Sequence, residues 1–178
     1  SKNLELGLTG DYEWGNVELK VYKSKVTDAF TYFTATPAYY KNDGTVNIQG
    51  AELSIGTEFL GWDFDSSIDF NKAIAASTDL QKGRRPNRSI SLNLSKASGK
   101  WKRNINWVAK SWAWDTDAHT DNVKLGGYGL LNLSTSYDFT ENLTVYLNRN
   151  NALNKDYEMA RGYKTLGKTS TLGLTYNF

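Results

Sequence analysis

Asp63, Asp65 and Asp69 recur at even spacing along one short segment. Side chains of an extended strand alternate between its faces, so all three project from the same side. A hard-cation site needs oxygens converging from several directions, and one strand supplies only a row. The row therefore reads as a charged wall in contact with water. Asp115, Asp117, His119 and Asp121 form a second acidic set in a polar stretch, but their spacing matches no calcium-binding loop. His119 is the only histidine and there is no cysteine. This removes the usual zinc ligand sets, thiolate chemistry and any disulfide framework. No Ser-His-Asp arrangement and no phosphate-cradling glycine loop occurs. No catalytic, cofactor-binding or metal-ligating residue is therefore assigned, no cofactor is expected, and the chain does not read as an enzyme. Arg84, Arg85 and Arg88 form a basic group suited to lipopolysaccharide phosphates or simply to a solvated loop.

The elements that carry these residues alternate with period two almost throughout. Leu4, Leu6 and Leu8 interleave with Glu5, Gly7 and Thr9; Val17, Leu19 and Val21 with Glu18 and Lys20. The pattern repeats around Ala51–Ile55, Trp62–Phe70, Ile90–Leu94, Ile105–Ala109, Leu131–Tyr137, Leu143–Leu147 and Thr171–Phe178, giving nine strands and no convincing helix. The polar faces collect Glu5, Glu18, Lys20, Glu52, Asp63, Asp65, Asp69, Asn104, Asn106, Lys110, Asn132 and Asn148. The connections alternate between short turns (Glu13–Asn16, Leu60–Gly61, Ala97–Lys100, Thr140–Asn142) and longer polar segments (Ala35–Thr45, Ala75–Asn87, Asp115–Gly126, Asn154–Gly167). Tyr12, Trp14, Phe59, Trp62, Trp101, Tyr137 and Phe139 gather beside the short turns, with Tyr176 and Phe178.

Together these features predict an all-β, antiparallel, up-and-down transmembrane β-barrel of about 8–10 strands, with a polar lumen and an apolar exterior facing lipid. On that reading the twelve polar residues line the lumen, and the turn-side aromatics form an interfacial girdle. A soluble barrel or sandwich would show the same alternation. The membrane reading is favoured by strands longer than the usual five or six residues, by a polar face rich in Asn, Ser and Thr, and by aromatics banded at the turns. Lys23 and Arg149 fall on the lipid parity; a bulge after Tyr22 would turn Lys23 inward. Thr57, Ser66 and Thr135 dilute the same face.

Length fits one domain across residues 1–178, a single barrel or part of one. With 21 Lys and Arg against 19 Asp and Glu, the net charge of +2 is mixed along the chain and gives no nucleic-acid surface. No run of eighteen apolar residues exists, so no membrane helix is expected. Ser1-Lys2-Asn3 leads straight into strand pattern, as in a mature, engineered or fragmentary chain.

The octet Thr171–Phe178, with Thr171, Gly173, Tyr176 and Phe178 at its key positions, resembles the C-terminal assembly signal of bacterial outer-membrane barrels. Arg84-Arg85-Pro86, Ile48–Leu53, Leu125–Tyr128, Asn150–Glu158 and Arg161–Lys168 resemble, in order, the C-terminal barrel region of TonB-dependent receptors, most nearly the cobalamin receptors. Leu166 and Lys168 depart from the residues common there, Pro and Arg. The resemblance implies a bacterial outer-membrane protein of metal-chelate import, with outer-membrane lipid and the barrel-assembly machinery as partners. It also implies a plug and a 22-strand barrel; against that pattern this chain reads as having no plug domain, so alone it would not be transport-competent. Nine strands run the first and last in the same direction, and bacterial barrels close antiparallel. Further strands or a second chain would then close the barrel. The alternatives are a self-contained small barrel acting as passive pore or scaffold, a fragment captured on assembly machinery, or a soluble binding barrel.

Overall fold

In the computed structural model, residues 1–33, 36–116 and 124–178 are described, apart from the side chains of residues 31–33 and 43. The long strands are β1 (Lys2–Tyr12), β2 (Gly15–Phe33), β3 (Tyr39–Phe59) and β4 (Trp62–Ala75). They continue, after the short β5 (Leu80–Gln81), with β6 (Arg88–Ser98) and β7 (Trp101–Lys110). Two short strands, β8 (Ala113–Trp114) and β9 (Lys124–Leu125), precede β10 (Tyr128–Asp138) and β11 (Leu143–Asn150). The hairpin β12 (Glu158–Ala160) and β13 (Tyr163–Lys164) then leads to β14 (Thr169–Tyr176).

One sheet holds nine of them in the order β1-β2-β3-β4-β6-β7-β10-β11-β14, every neighbouring pair antiparallel, with β5 appended to β4. The nine strands legible in the sequence are these nine. No helix occurs among the described residues. β1 and β14 run the same way and form the two edges of the sheet.

The strands are long because each apolar face continues without a break. Leu6 opposes Val21, which opposes Ala51 and then Phe70; Leu8 opposes Leu19, then Leu53 and Ile68. A one-residue slip would exchange these with the charged rows, which fixes the register. No core lies behind this face: the buried apolar residues among those described are Ala73, Ala113 and Leu125. Leu4 and Leu172 remain 74% and 73% exposed, as only a face meant for a non-aqueous neighbour tolerates.

Two details differ from the sequence reading. Pairing runs unbroken through Lys23, opposite Leu4 and Gln49, so no bulge turns it inward. The irregularity comes later, between Val26 and Ala29 and again before Phe30. Lys23 therefore stays on the apolar face. The stretch Tyr39–Thr45, expected in a loop, is strand because β2 extends far enough to pair with it.

Candidate functional site

Register brings all twelve polar candidates onto one face. Lys20, Glu52 and Asp69 lie in one cross-strand row that continues to Ser89 and Lys110. Asp65, Asn93, Asn106 and Asn132 form another. Asp63, Ser95, Asn104, Ser134 and Asn148 form a third, while Glu18 and Glu5 sit on the same parity of β2 and β1.

The face divides in two. Across β1–β4 it is acidic, with Glu5, Glu18, Glu52, Asp63, Asp65 and Asp69 around Lys20, whose Nζ lies 3.0 Å from Glu18. The Tyr22 hydroxyl donates to Asp69 at 3.3 Å and its ring lies over Gly50, where an added Cβ would collide with it. Across β6–β11 the face is amide-rich, with Lys102, paired to Asp138, and Lys110 as its charges. Asn104 Nδ2 donates to Asn93 Oδ1 at 2.7 Å, and Asn132 Nδ2 donates to Asn106 Oδ1 at 3.2 Å. Asn132 also accepts the backbone N–H of Asn151 at 3.0 Å. Amides both donate and accept, so they chain across strands where carboxylates would repel.

At the long-loop end, Asp115 joins three segments. Arg84 Nε donates to it at 2.9 Å and the Arg161 N–H at 3.2 Å. The Arg84 bond, reinforced by Arg161, holds the Asp115 carboxyl below the usual carboxylate range. Asp115 is therefore engaged within the loops; the other members of its acidic set, Asp117, His119 and Asp121, lie outside the described residues. Arg84 is likewise committed to Asp115, leaving Arg88 as the strand-borne member of its basic group. Nearby, a cavity of about 90 Å³ is bounded by Arg84, Pro86, Lys110, Tyr128, Glu158 and Met159 among others. Among the described residues no three His, Cys, Asp or Glu converge as a metal site.

Asn151 is the one buried polar residue among those described, 5% exposed. Its Nδ2 donates to the Lys155 carbonyl and its Oδ1 accepts the Lys155 N–H, both at 2.8 Å. The side chain thus completes a turn that its own backbone, at φ 49°, begins. Asn154 repeats the device, accepting the Lys168 N–H at 3.0 Å. The Asn150–Glu158 block is a structural clasp between β11 and the following loop.

At the short-turn end the aromatics pair: Tyr12 stacks on Trp14 at 5.4 Å, and Tyr137 meets both Trp101 and Phe139 at 4.8 Å. Phe59 opposes Trp62 in register, and Tyr176 packs edge-on to Phe178. Arg103 sits over Trp101, and Lys96 sits over Trp62 while donating to the Leu60 carbonyl. Thr171 opposes Asn148, and Gly173 lies beneath the Tyr146 ring, which an added Cβ would strike. Asn177 exchanges backbone and side-chain bonds with Asn142.

The family described as TonB dependent receptor-like, beta-barrel matches residues 1–152. The chain belongs to this TonB-dependent receptor barrel family. Its members are transporters of the bacterial outer membrane, which places this all-β antiparallel barrel segment there, with its apolar face toward lipid. Solved structures agree in fold. The chain superposes on the copper transporter OprC with TM-score 0.77 at 19% identity, covering 99% of this chain and 31% of that one. The FrpB iron transporter from Neisseria meningitidis, in its apoprotein form, gives 0.78 at 17%, with 99% and 31% covered. The ferripyoverdine receptor of the outer membrane of Pseudomonas aeruginosa, bound to ferripyoverdine, gives 0.77 at 18%, with 99% and 27% covered. This TonB-dependent receptor segment thus spans about a third or less of the structures it matches.

Proposed function

We propose that the chain forms part of the barrel wall of an uptake receptor for a metal chelate, with its polar face lining the lumen. The observation that carries this is the parity segregation: the carboxylates and most amides of the regular pairing gather on one face of nine paired strands, and the other is largely apolar and uncovered. An acidic sector beside an amide sector suits a water-filled passage whose wall offers many weak polar contacts. The ordered blocks at 150–158 and 161–168 favour a cobalamin-type cargo within the metal-chelate class, and the ferripyoverdine bound by one structural relative belongs to that class.

The same reading assigns the whole chain to one barrel unit without catalytic or cofactor role. The turn-side aromatics sit at the periplasmic interface, and Thr171–Phe178 engages the assembly machinery. Two unpaired edges argue that the segment does not transport alone. Open backbone in lipid costs several kcal/mol per group, so further strands must cover β1 and β14.

The test is uptake of labelled cyanocobalamin and ferric siderophores by cells whose only such receptor carries this segment. Cobalamin uptake supports the assignment. Uptake of an iron chelate alone replaces the cargo, and uptake of neither refutes the receptor reading. Cysteines at Asn106 and Ile105, neighbours of opposite parity, check the face: the first should react with a water-soluble maleimide and the second should not.

A further inference from the structure

One side chain on the apolar face is out of place against lipid. The cross-strand row Phe64, Leu94, Ile105 and Leu133 continues onto Arg149 of β11 and ends on Ser170 of β14, an edge strand of the sheet. No carboxylate shares this face anywhere in the regular pairing of the nine strands. Arg149 therefore has no counter-ion on its own wall.

Depth makes this costly. At about 3.3 Å per residue and a tilt of about 40°, ten residues climb about 25 Å, the height of the apolar band of an outer-membrane barrel. On β2 that climb runs from Gly15 to Lys25, so Lys23 lies near enough to the outer boundary for its stem to carry the ammonium out. Lys96 and Arg103 lie near the turn end, each over a Trp ring. Arg149 stands six residues along β11 from Leu143, about 15 Å up and about 10 Å short of the outer boundary. A cation left to lipid at such depth is strongly unfavourable.

The guanidinium does not climb toward the surface. It lies sideways over β14, with Nη1 donating to Ser170 Oγ at 2.7 Å, its one hydrogen bond among the described residues. Most of its N–H donors remain open. Leu133 is its direct neighbour on β10, Leu147 precedes it on the same face of β11, and Leu172 lies diagonally on β14. The Thr135 hydroxyl, diagonal on β10, is turned to the Lys102 carbonyl at 3.3 Å. The open side is the far side of β14, where the next strand of a closed barrel runs about 4.8 Å away.

We propose that Arg149 is one half of an ion pair across the closing seam of the barrel. Its guanidinium bridges β14 to a carboxylate on the lipid-facing side of the strand that closes the barrel, at the level of Ser170. The pair fixes register. A slip of β14 by two residues keeps Leu172, Leu174 and Tyr176 toward lipid, so the apolar pattern does not oppose it. Such a slip does part a charged pair held in low dielectric, which is strongly unfavourable. The proposal rests on the barrel-wall reading, whose own failure shows separately in the Asn106 and Ile105 labelling.

The test uses the whole receptor that carries this segment. Its closing strand should place an Asp or Glu on the lipid-facing side within one pair of Ser170. R149L leaves that carboxylate unpaired and should lower the folded-to-unfolded ratio about a hundredfold, read from urea titration of the compact unboiled gel band. Replacing the carboxylate residue by Leu as well should restore most of the loss. Register is read by joining L172C to single cysteines at successive lipid-facing positions of the closing strand. With Arg149 present, one position should cross-link; in the double replacement, positions two residues away should cross-link too. The double replacement leaves no unpaired charge, so it carries this readout even where R149L alone does not fold. A closing strand with no carboxylate at that level would overturn the proposal. So would an R149L receptor as stable as wild type or more so, as for an arginine standing alone in lipid, additive losses in the double replacement, or a single unchanged cross-link in it.

Discussion

Replacing Asn151 separates what its side chain does from what its backbone does. The side chain makes two hydrogen bonds to the Lys155 backbone from a buried position. At about 1 kcal/mol each, their loss in N151G should cost about 2 kcal/mol. N151A loses the same bonds and also forces a residue with Cβ into the left-handed region at φ 49°, adding about 1 kcal/mol. The expected order is wild type, then N151G, then N151A, with the last about 3 kcal/mol weaker at the clasp. Local opening governs amide exchange. The Lys155 N–H in the folded receptor should therefore exchange about thirtyfold faster in N151G and more than a hundredfold faster in N151A. Amides in the centre of β10 should not change. If Lys155 exchanges at the wild-type rate in both variants, the clasp does not close this loop. If N151G and N151A behave alike, the backbone contribution is wrong.

Three further outcomes follow from the geometry. Asp115 titrates below its ordinary value of 3.8, so its bonds are fully present above that pH and are lost as pH falls through the depressed value. Exchange at Arg161 should rise below about pH 3.8 in wild type, whereas D115N should show a raised rate already at neutral pH. N132L leaves the Asn151 N–H without its acceptor, and a lost buried bond of this kind costs about 1–3 kcal/mol. Urea midpoints of the detergent-folded receptor should fall, while N132Q should recover little because its amide is displaced by one methylene. G173V places a branched side chain against the Tyr146 ring and should slow appearance of the compact unboiled gel band. Y146A should relieve that defect in the double variant, and a purely additive pair would argue against the contact.

Much of the fold was legible because a half-apolar strand records its register in its own spelling. Leu4-Leu6-Leu8 and Val17-Leu19-Val21 admit one facing, and their pairing partners obey it. The stretch Tyr39–Thr45 was not legible: Lys41-Asn42-Asp43-Gly44 has neither period nor β propensity, and becomes strand only because β2 supplies a ladder to it. Arg149 could be placed on the apolar face from parity alone, but its partner Ser170 belongs to a strand twenty-one residues away. The role of Asp115 was not legible, because the sequence shows its carboxylate neighbours and hides Arg84 and Arg161, which approach from other loops. The Asn150–Glu158 block was recognisable by resemblance, yet its reason, a side chain replacing a missing backbone pair, resides in three-dimensional closure.

The hairpin of β2 and β3 outlasts the bilayer. β2 continues eight residues past Lys25 to Phe33, still paired with β3 back to Tyr39. At about 3.3 Å per residue and a tilt of about 40°, this overhang stands about 20 Å clear of the hydrocarbon boundary. Backbone pairing holds it as a mast, where an unpaired loop of equal length would collapse onto the rim. A peptide tag inserted after Pro37, near its tip, would be carried above the lipid headgroups and remain open to antibodies on intact cells. The hairpin also holds paired backbone, in place of a yielding loop, beyond the level of the passage below.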